Sequence, residues 1–216
     1  MMSKKIKIEL PKVATVVDKV NFHNIFNEEE PQLVNGIVIG EHVDNEVLEK
    51  ASFSKVIFRN VTFLNASFTN IDMTDVIFES CNLSNARLNE GIIHRVAFKD
   101  CKLLGLDLSE AYLGNVTFDN CDMKLSNFVD ARLKQVSFDH CSLASANFYD
   151  CKLNKVYMDR CDINDVDFTQ TILNGMDIST CTFEKLNVSL ESLNGCEVSS
   201  DQAIGFSKLL GLKVKE

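Results

Sequence analysis

A five-residue period governs most of this chain. Reading every fifth position from Phe53 to Val198 gives thirty residues, all apolar, with no insertion. Twelve of the fifteen Phe fall in this one register. A second column lies two residues earlier, from Ala51 through Val56, Val61, Ala66 and Ile71 to Cys196. Of its thirty positions only Gly91, Ser126, Thr171 and Glu191 are not apolar. The other three positions of each five are mostly Asn, Asp, Ser, Thr, Lys, Arg and Glu. A helix would rotate the Phe column by about 500° per step and smear it around the cylinder. A plain strand would send odd offsets to opposite faces. A chain that turns a corner every five residues satisfies the pattern, with two inward side chains per side and a polar corner after them.

A longer period lies on top of the short one. Cys81, Cys101, Cys121, Cys141, Cys161 and Cys181 are 20 residues apart, and so are Phe58, Phe78, Phe98, Phe118 and Phe138. Four sides of five residues make one coil, and like side chains then stack on like, about 4.8 Å apart. Thirty repeats give 7.5–8 coils, a rod of about 36 Å.

The units Cys81-Asn82-Leu83-Ser84-Asn85, Ala86-Arg87-Leu88-Asn89-Glu90 and Ala146-Asn147-Phe148-Tyr149-Asp150 carry the motif Ala/Cys, polar, Leu/Phe, polar, polar. In this the chain resembles the pentapeptide-repeat family across residues 51–200. The resemblance implies a right-handed quadrilateral β-helix, an all-β solenoid. The register weakens over 31–50, where Glu41 and Glu46 occupy the second inward site. Residues 1–50 are therefore expected to form an N-terminal cap and first irregular coil. Val13, Val16, Val17, Val20, Phe22, Ile25 and Phe26 would cover the first coil. Residues 51–200 would be the β-helix and 201–216 a C-terminal helix and tail. Ser199-Ser200-Asp201 reads as a helix start and Gly211 as its stop. Ile204, Phe206, Leu209 and Leu210 exceed what a small cap needs, which points to a homodimer through the C-terminus.

Catalysis is not expected. The four His are scattered, no Gly-rich phosphate loop occurs, and a filled rod has no concave site with convergent groups. No cofactor or metal is expected either. The cysteines sit in the small inward column, where buried thiols act as small hydrophobes, and a straight ladder does not converge tetrahedrally. Net charge is −9, against a direct nucleic-acid binder. No apolar run is long enough for a membrane span or a signal peptide, so the expected location is cytoplasmic.

Sorted by face, the outward charges become informative. The face around Phe68, Leu88, Leu108, Phe128, Phe148 and Phe168 carries Arg87 against Glu90, Asp107, Glu110, Asp130, Asp150 and Asp167, a net of −5. Glu90, Glu110, Asp130 and Asp150 form a vertical ladder. The opposite face nets −4 and holds a second ladder, Asp119, Asp139 and Asp159. The face between them nets +4, from Lys55, Arg95, Arg132, Lys134, Lys152 and Lys155 against Asp72 and Asp75. Residues 51–200 net −7, whereas 36 Å of duplex DNA carries about 21 charges. Imitation of DNA would thus be confined to faces and ladders. Well-understood members of the family resemble duplex DNA in size, shape and charge, bind DNA gyrase and topoisomerase IV, and protect them from quinolones. The resemblance implies that partner here, and the unbroken repeat is similar to the loop-free type. The charge pattern, not the resemblance, makes Asp107 and the two ladders the expected contact surface. The competing expectation is an interaction scaffold for another protein, working through the basic face or through Leu64, Leu104 and Leu125.

Overall fold

The structure, a computed structural model, describes residues 7–27 and 29–215. Residues 1–6 of the expected cap, Glu28, and Glu216 of the expected tail lie outside the described residues. The chain is a parallel β-solenoid with a 20-residue coil. Seven eight-residue strands stack in chain order: β1 (Gln32–Ile39), β2 (Ser52–Arg59), β3 (Asp72–Glu79), β4 (Ile92–Lys99), β5 (Tyr112–Asp119), β6 (Arg132–Asp139) and β7 (Lys152–Asp159). Each pairs with the next at an offset of 20, as in Phe78↔Phe98 and Phe98↔Phe118. Six turns lie between β1 and β7. Beyond them single bridges carry the same step on to Asp162↔Thr182 and Asp167↔Asn187.

Two sides of the coil are one bent strand, and the other two are held by single bridges such as Asn82↔Lys102 and Arg87↔Asp107. The bend has a local cause. From Asn35 to Gly175 every fifth residue has positive φ, including Asn65 at 54°, Glu90 at 59° and Asp130 at 59°. That left-handed conformation turns the chain by a corner. Where the corner closes a hydrogen bond, as from the Ala66 N–H to the Phe63 carbonyl at 3.2 Å, it is what position i+2 of a type II turn needs. Asn and Asp tolerate this region best among residues with a Cβ. They supply thirteen of the 26 non-glycine residues with positive φ, which explains the polar corners.

Between corners two side chains point inward and fill the rod. Phe78, Phe98, Phe118 and Phe138 stack with ring centroids 4.8–4.9 Å apart and planes within 7° of parallel. That spacing is the coil rise itself. Core residues from Phe53 to Cys181 are buried apart from Leu153, whereas Phe183, Leu186, Val188, Leu193, Cys196 and Val198 are only partly buried.

Each end is closed by its own device. At the first coil a short 3-10 helix, Phe22–Asn27, drives Phe22 into the axis. Its ring meets Phe53, Phe58, Phe63 and Phe68, one from each side of the coil, at 5.8–6.2 Å. Glu41, the acid that breaks the inward column, accepts the Phe22 N–H at 2.9 Å. Of the residues expected to cover this end, Phe22 and Ile25 do so. Val13, Val16 and Val17 do not: they belong to a strap, residues 7–20, that runs along the flank of the rod, with Val16 86% exposed. At the other end α1 (Ser200–Phe206) starts with a capping box between Ser199 and Gln202. The Gln202 amide also donates to the carbonyls of Ile178 and Cys181, both at 2.9 Å.

Candidate protein-interaction surface

The corner that follows each inward Phe or Leu of the acidic face is a left-handed position, and Glu90, Glu110, Asp130 and Asp150 occupy it in four successive coils. The rod therefore brings this ladder together along one edge, exposed, at one coil per charge. The backbone does not dictate the acids. The other three corner columns are mixed: Asn60, Ser80, Asp100, Asn120, His140 and Arg160 in one; Asn65, Asn85, Gly105, Leu125, Ser145 and Asp165 in the next; Asp75, Arg95, Asn115, Gln135 and Lys155 in the third. One column alone carries the same sign through four coils.

The four acids also lack direct ion pairs. None forms an ion pair with a described residue, and Arg132, Lys134 and Lys152 on the adjoining face form none either. Between the two rows runs a shallow groove. Glu110, Asp130 and Asp150 form one wall, and Ile92, Tyr112, Arg132 and Lys152 form the other. Ile92 and Tyr112 are 53% and 38% exposed, so an apolar strip lies beside the carboxylates.

The second ladder is built differently. Asp119, Asp139 and Asp159 end β5, β6 and β7 and are partners in register. Asp139 pairs with His140 at 2.8 Å and with Arg160 at 3.5 Å, and Asp159 pairs with Arg160 at 2.8 Å. Burial works against the Asp159 carboxylate, but the Thr180 hydroxyl and Arg160 outweigh it and hold its pKa below the usual range. Arg160 thus compensates part of this ladder's charge within the chain. Asp107 has another task. Its Oδ1 accepts the Ser109 N–H at 3.1 Å and the Asn127 amide at 3.0 Å, so it closes a turn and ties two coils.

Sequence reasoning missed the Asp75–Arg95 pair. Arg95 Nε and Nη2 grip the Asp75 carboxylate at 2.7 and 2.9 Å, and Asp75 is 3% exposed. Arg95 foremost, against the opposing effect of burial, holds the Asp75 pKa below its ordinary value. The signal was present: opposite charges 20 residues apart in one column must face each other.

Seven of the eight thiols are buried. Each ladder cysteine donates to backbone carbonyls, as Cys101 does to Lys99 at 3.2 Å. All eight are free, and no cluster among the described residues could hold a metal. At the C-terminus Phe206 packs on Phe183 at 5.6 Å and belongs to the cap, whereas Ile204, Leu209 and Leu210 are 52%, 45% and 61% exposed. No helix among the described residues is long and apolar enough to cross a membrane.

The repeat profile described as "Pentapeptide repeat region" matches residues 91–168, and "Pentapeptide repeats (8 copies)" matches 47–75 and 66–105. The chain belongs to the pentapeptide-repeat family. No curated protein matches it. Among solved structures this pentapeptide-repeat rod is similar to HetL from Nostoc sp. strain PCC 7120, a pentapeptide repeat protein involved in heterocyst differentiation regulation. Identity is 15%, coverage 78% of this chain and 83% of that one, and the TM-score 0.54. It is also similar to a trypsin-treated form of QnrB1, a plasmid-mediated fluoroquinolone resistance protein. There identity is 16%, coverage 84% and 100%, and the TM-score 0.45.

Proposed function

We propose that this rod is a non-enzymatic docking protein, and that its edge Glu90–Glu110–Asp130–Asp150 binds the DNA-holding basic groove of DNA gyrase or topoisomerase IV in the cytoplasm, lessening quinolone action there. One observation carries the reading: a single corner column carries acids in four successive coils, none in an ion pair with a described residue, while the three equivalent columns hold no such run. A basic groove that accommodates a row of phosphates would supply the missing counter-charges. The Ile92–Tyr112 strip beside the ladder adds apolar contact, and aromatic anchors of that kind carry much of the energy of protein interfaces. The second ladder contributes less, because Arg160 and His140 already occupy Asp139 and Asp159. The exposed Ile204, Leu209 and Leu210 form a two-fold contact that joins two rods end to end.

The test is a supercoiling assay with purified gyrase. The native chain inhibits, and the quadruple variant Glu90→Gln, Glu110→Gln, Asp130→Asn, Asp150→Asn loses most of that effect. Arg132→Gln with Lys134→Gln on the adjoining face leaves it intact. Absence of any effect by the native chain, or loss only with the basic-face variant, would assign the rod to a different protein partner.

A further inference from the structure

The backbone ladder between coils is interrupted beyond β7, on the two sides that carry the strands. Between β6 and β7 it is complete. There the Lys152 N–H donates to the Ala131 carbonyl and the His140 N–H to the Asp159 carbonyl, both at 3.0 Å. Residues 172–179 occupy the next level, yet no bridge and no backbone hydrogen bond joins them to Lys152–Asp159. The other two sides stay tied at the same level, by Asp162↔Thr182 and Asp167↔Asn187, with the Ile163 N–H on the Thr182 carbonyl at 2.9 Å. Past the gap the chain is tied again. The Leu173 N–H donates to the Ser192 carbonyl at 2.9 Å and the Ile178 N–H to the Glu197 carbonyl at 3.0 Å.

Two threonines bracket the gap. Thr180 stands where Asp100, Asn120, His140 and Arg160 hold positive φ in earlier coils, and it does not share that conformation. A β-branched side chain fits the left-handed region poorly. By the pattern of His140, the Arg160 N–H would donate to the Ser179 carbonyl. It donates to the Thr180 hydroxyl instead, at 3.0 Å. At the other end Thr171, one of the four residues that break the second inward column, accepts the Cys151 N–H on its hydroxyl at 2.8 Å. The equivalent N–H groups of Ala111 and Ala131 bond within their own corners, to the carbonyls of Leu108 and Phe128. The core registers the break. Leu153, beside the gap, is the inward residue that is only partly buried. The rings of Phe148 and Phe168 stand 5.3 Å apart and 31° from parallel, against 4.4 Å and 10° for Phe128 and Phe148.

Coils of a solenoid couple mainly to their neighbours, so a level that lacks half its ladder is where the rod parts first. We propose that this seam is a joint: residues 171–180 and 191–206 open from β7 as one unit, turning on the two tied sides, while the coils up to β7 stay closed. Apolar packing and side chains hold the unit shut, the latter through the hydroxyls of Thr171 and Thr180 and through the Cys181 thiol, which donates to the Met158 carbonyl at 3.5 Å. The acidic ladder from Glu90 to Asp150 lies wholly on the closed side of the seam. Ile204, Leu209 and Leu210 lie beyond it. On the reading that these residues join two rods, the joint lets the rods tilt against each other without disturbing either ladder.

Amide exchange on the full native chain is the test. The amides of Leu153, Met158 and Arg160 are expected to exchange about a hundredfold faster than their equivalents one coil earlier, Leu133, Phe138 and His140. Their exchange is also expected to quicken in urea well below the main unfolding transition, because opening exposes the buried Met158, Leu173 and Ile178. Thr180→Asn supplies a corner residue that tolerates positive φ and leaves the Arg160 N–H to the Ser179 carbonyl. It is expected to slow exchange at Met158 and Arg160 at least tenfold. Exchange beside the seam that equals exchange in β6, or that is unmoved by Thr180→Asn, overturns the proposal. Fast exchange indifferent to urea overturns it as well, since the gap would then be static. So does protection that falls evenly towards the C-terminus, with Ile163 and Phe168 as fast as Leu153, which is fraying of an end. None of these measurements depends on gyrase or on the contact between rods, so their failure leaves the proposed function to its own test.

Discussion

Phe118→Ala probes the rod where it has least freedom to adjust. Phe118 is fully buried and lies between Phe98 and Phe138, at 4.9 Å from each with planes 7° and 4° from parallel. Truncating a buried Phe costs about 3–5 kcal/mol, the spread reflecting how far the site can collapse onto the hole. Here it cannot collapse far. The rise between coils is set by backbone ladders on both sides, so Phe98 and Phe138 cannot move together to close the gap. Both aromatic contacts go as well, each worth about 0.5–1.5 kcal/mol beyond burial. The loss should therefore fall at about 4–5 kcal/mol, with a melting temperature lower by about 8–20 °C for a chain of this length. Phe118→Leu, which keeps most of the volume, should cost about 1–1.5 kcal/mol. Urea titration followed by circular dichroism gives both numbers. Amide exchange gives the location: coils couple to their neighbours, so protection should fall first in β4, β5 and β6 and persist under the Phe22 plug. A loss below about 1.5 kcal/mol for the alanine would refute the claim that the coil rise holds the cavity open.

The buried thiols should not react. Cys151, pushed up to about 12 mainly by burial, and Cys121, raised to about 12 mainly by the neighbouring Cys101 thiol, should resist Ellman's reagent at pH 8 until the rod is unfolded; prompt labelling of the native protein would contradict this. Asp75 is an ionised carboxylate held below its ordinary pKa of 3.8 by Arg95, so its contribution is complete above that value and fades as pH falls below it. Acid titration should then show the Lys12 amide, which donates to Asp75 Oδ1 at 2.9 Å, losing protection at a pH below 3.8, and Asp75→Ala, which removes the acceptor, should free that amide at neutral pH already. Sedimentation at tens of micromolar should give a dimer that Leu209→Asp with Leu210→Asp reduces to a monomer, whereas Phe206→Ala should lower the melting temperature through the lost Phe183 contact. A monomeric native chain, or a dimer indifferent to both leucines, counts against the end-to-end contact.

The solenoid was legible because its signal is redundant. One inward position repeated thirty times and a second period of 20 in Cys and Phe leave few folds that obey both. The corners were legible in kind but not in cause, since Asn and Asp mark polar corners without stating that φ is positive at each. The ends were harder to read. Glu41 looks like a defect in the inward column until Phe22 is seen to need an acceptor, and Gln202 carries no periodicity that points to the carbonyls of Ile178 and Cys181. The strap was hard to read from the pattern, because its hydrogen bonds to Asp75, Asn115 and Gln135 use its backbone. The two acidic ladders looked alike in sequence. The position of Arg160, at a neighbouring corner, separates the partly compensated one from the one without direct ion pairs.

The free ladder sets stability against binding, and that opposition makes its role testable apart from folding. Adjacent carboxylates about 4.8 Å apart repel by about 0.9 kcal/mol in water before screening. Three adjacent pairs and the longer-range ones sum to about 1–2 kcal/mol once a Debye length of about 8 Å is applied. Arg132 and Lys152 on the opposite wall of the groove offset part of this without a direct ion pair, so replacing Glu90, Glu110, Asp130 and Asp150 by their amides should raise stability by at most about that amount, most at low salt. A partner with a basic groove relieves the same repulsion on binding. The amide variant should therefore be more stable and yet bind more weakly, and the native chain's affinity should fall as salt rises. A variant that merely damaged the rod would lose both together. A surface kept acidic only for solubility would gain stability and leave gyrase inhibition unchanged. Only a ladder that a cationic partner contacts moves the two measurements in opposite directions.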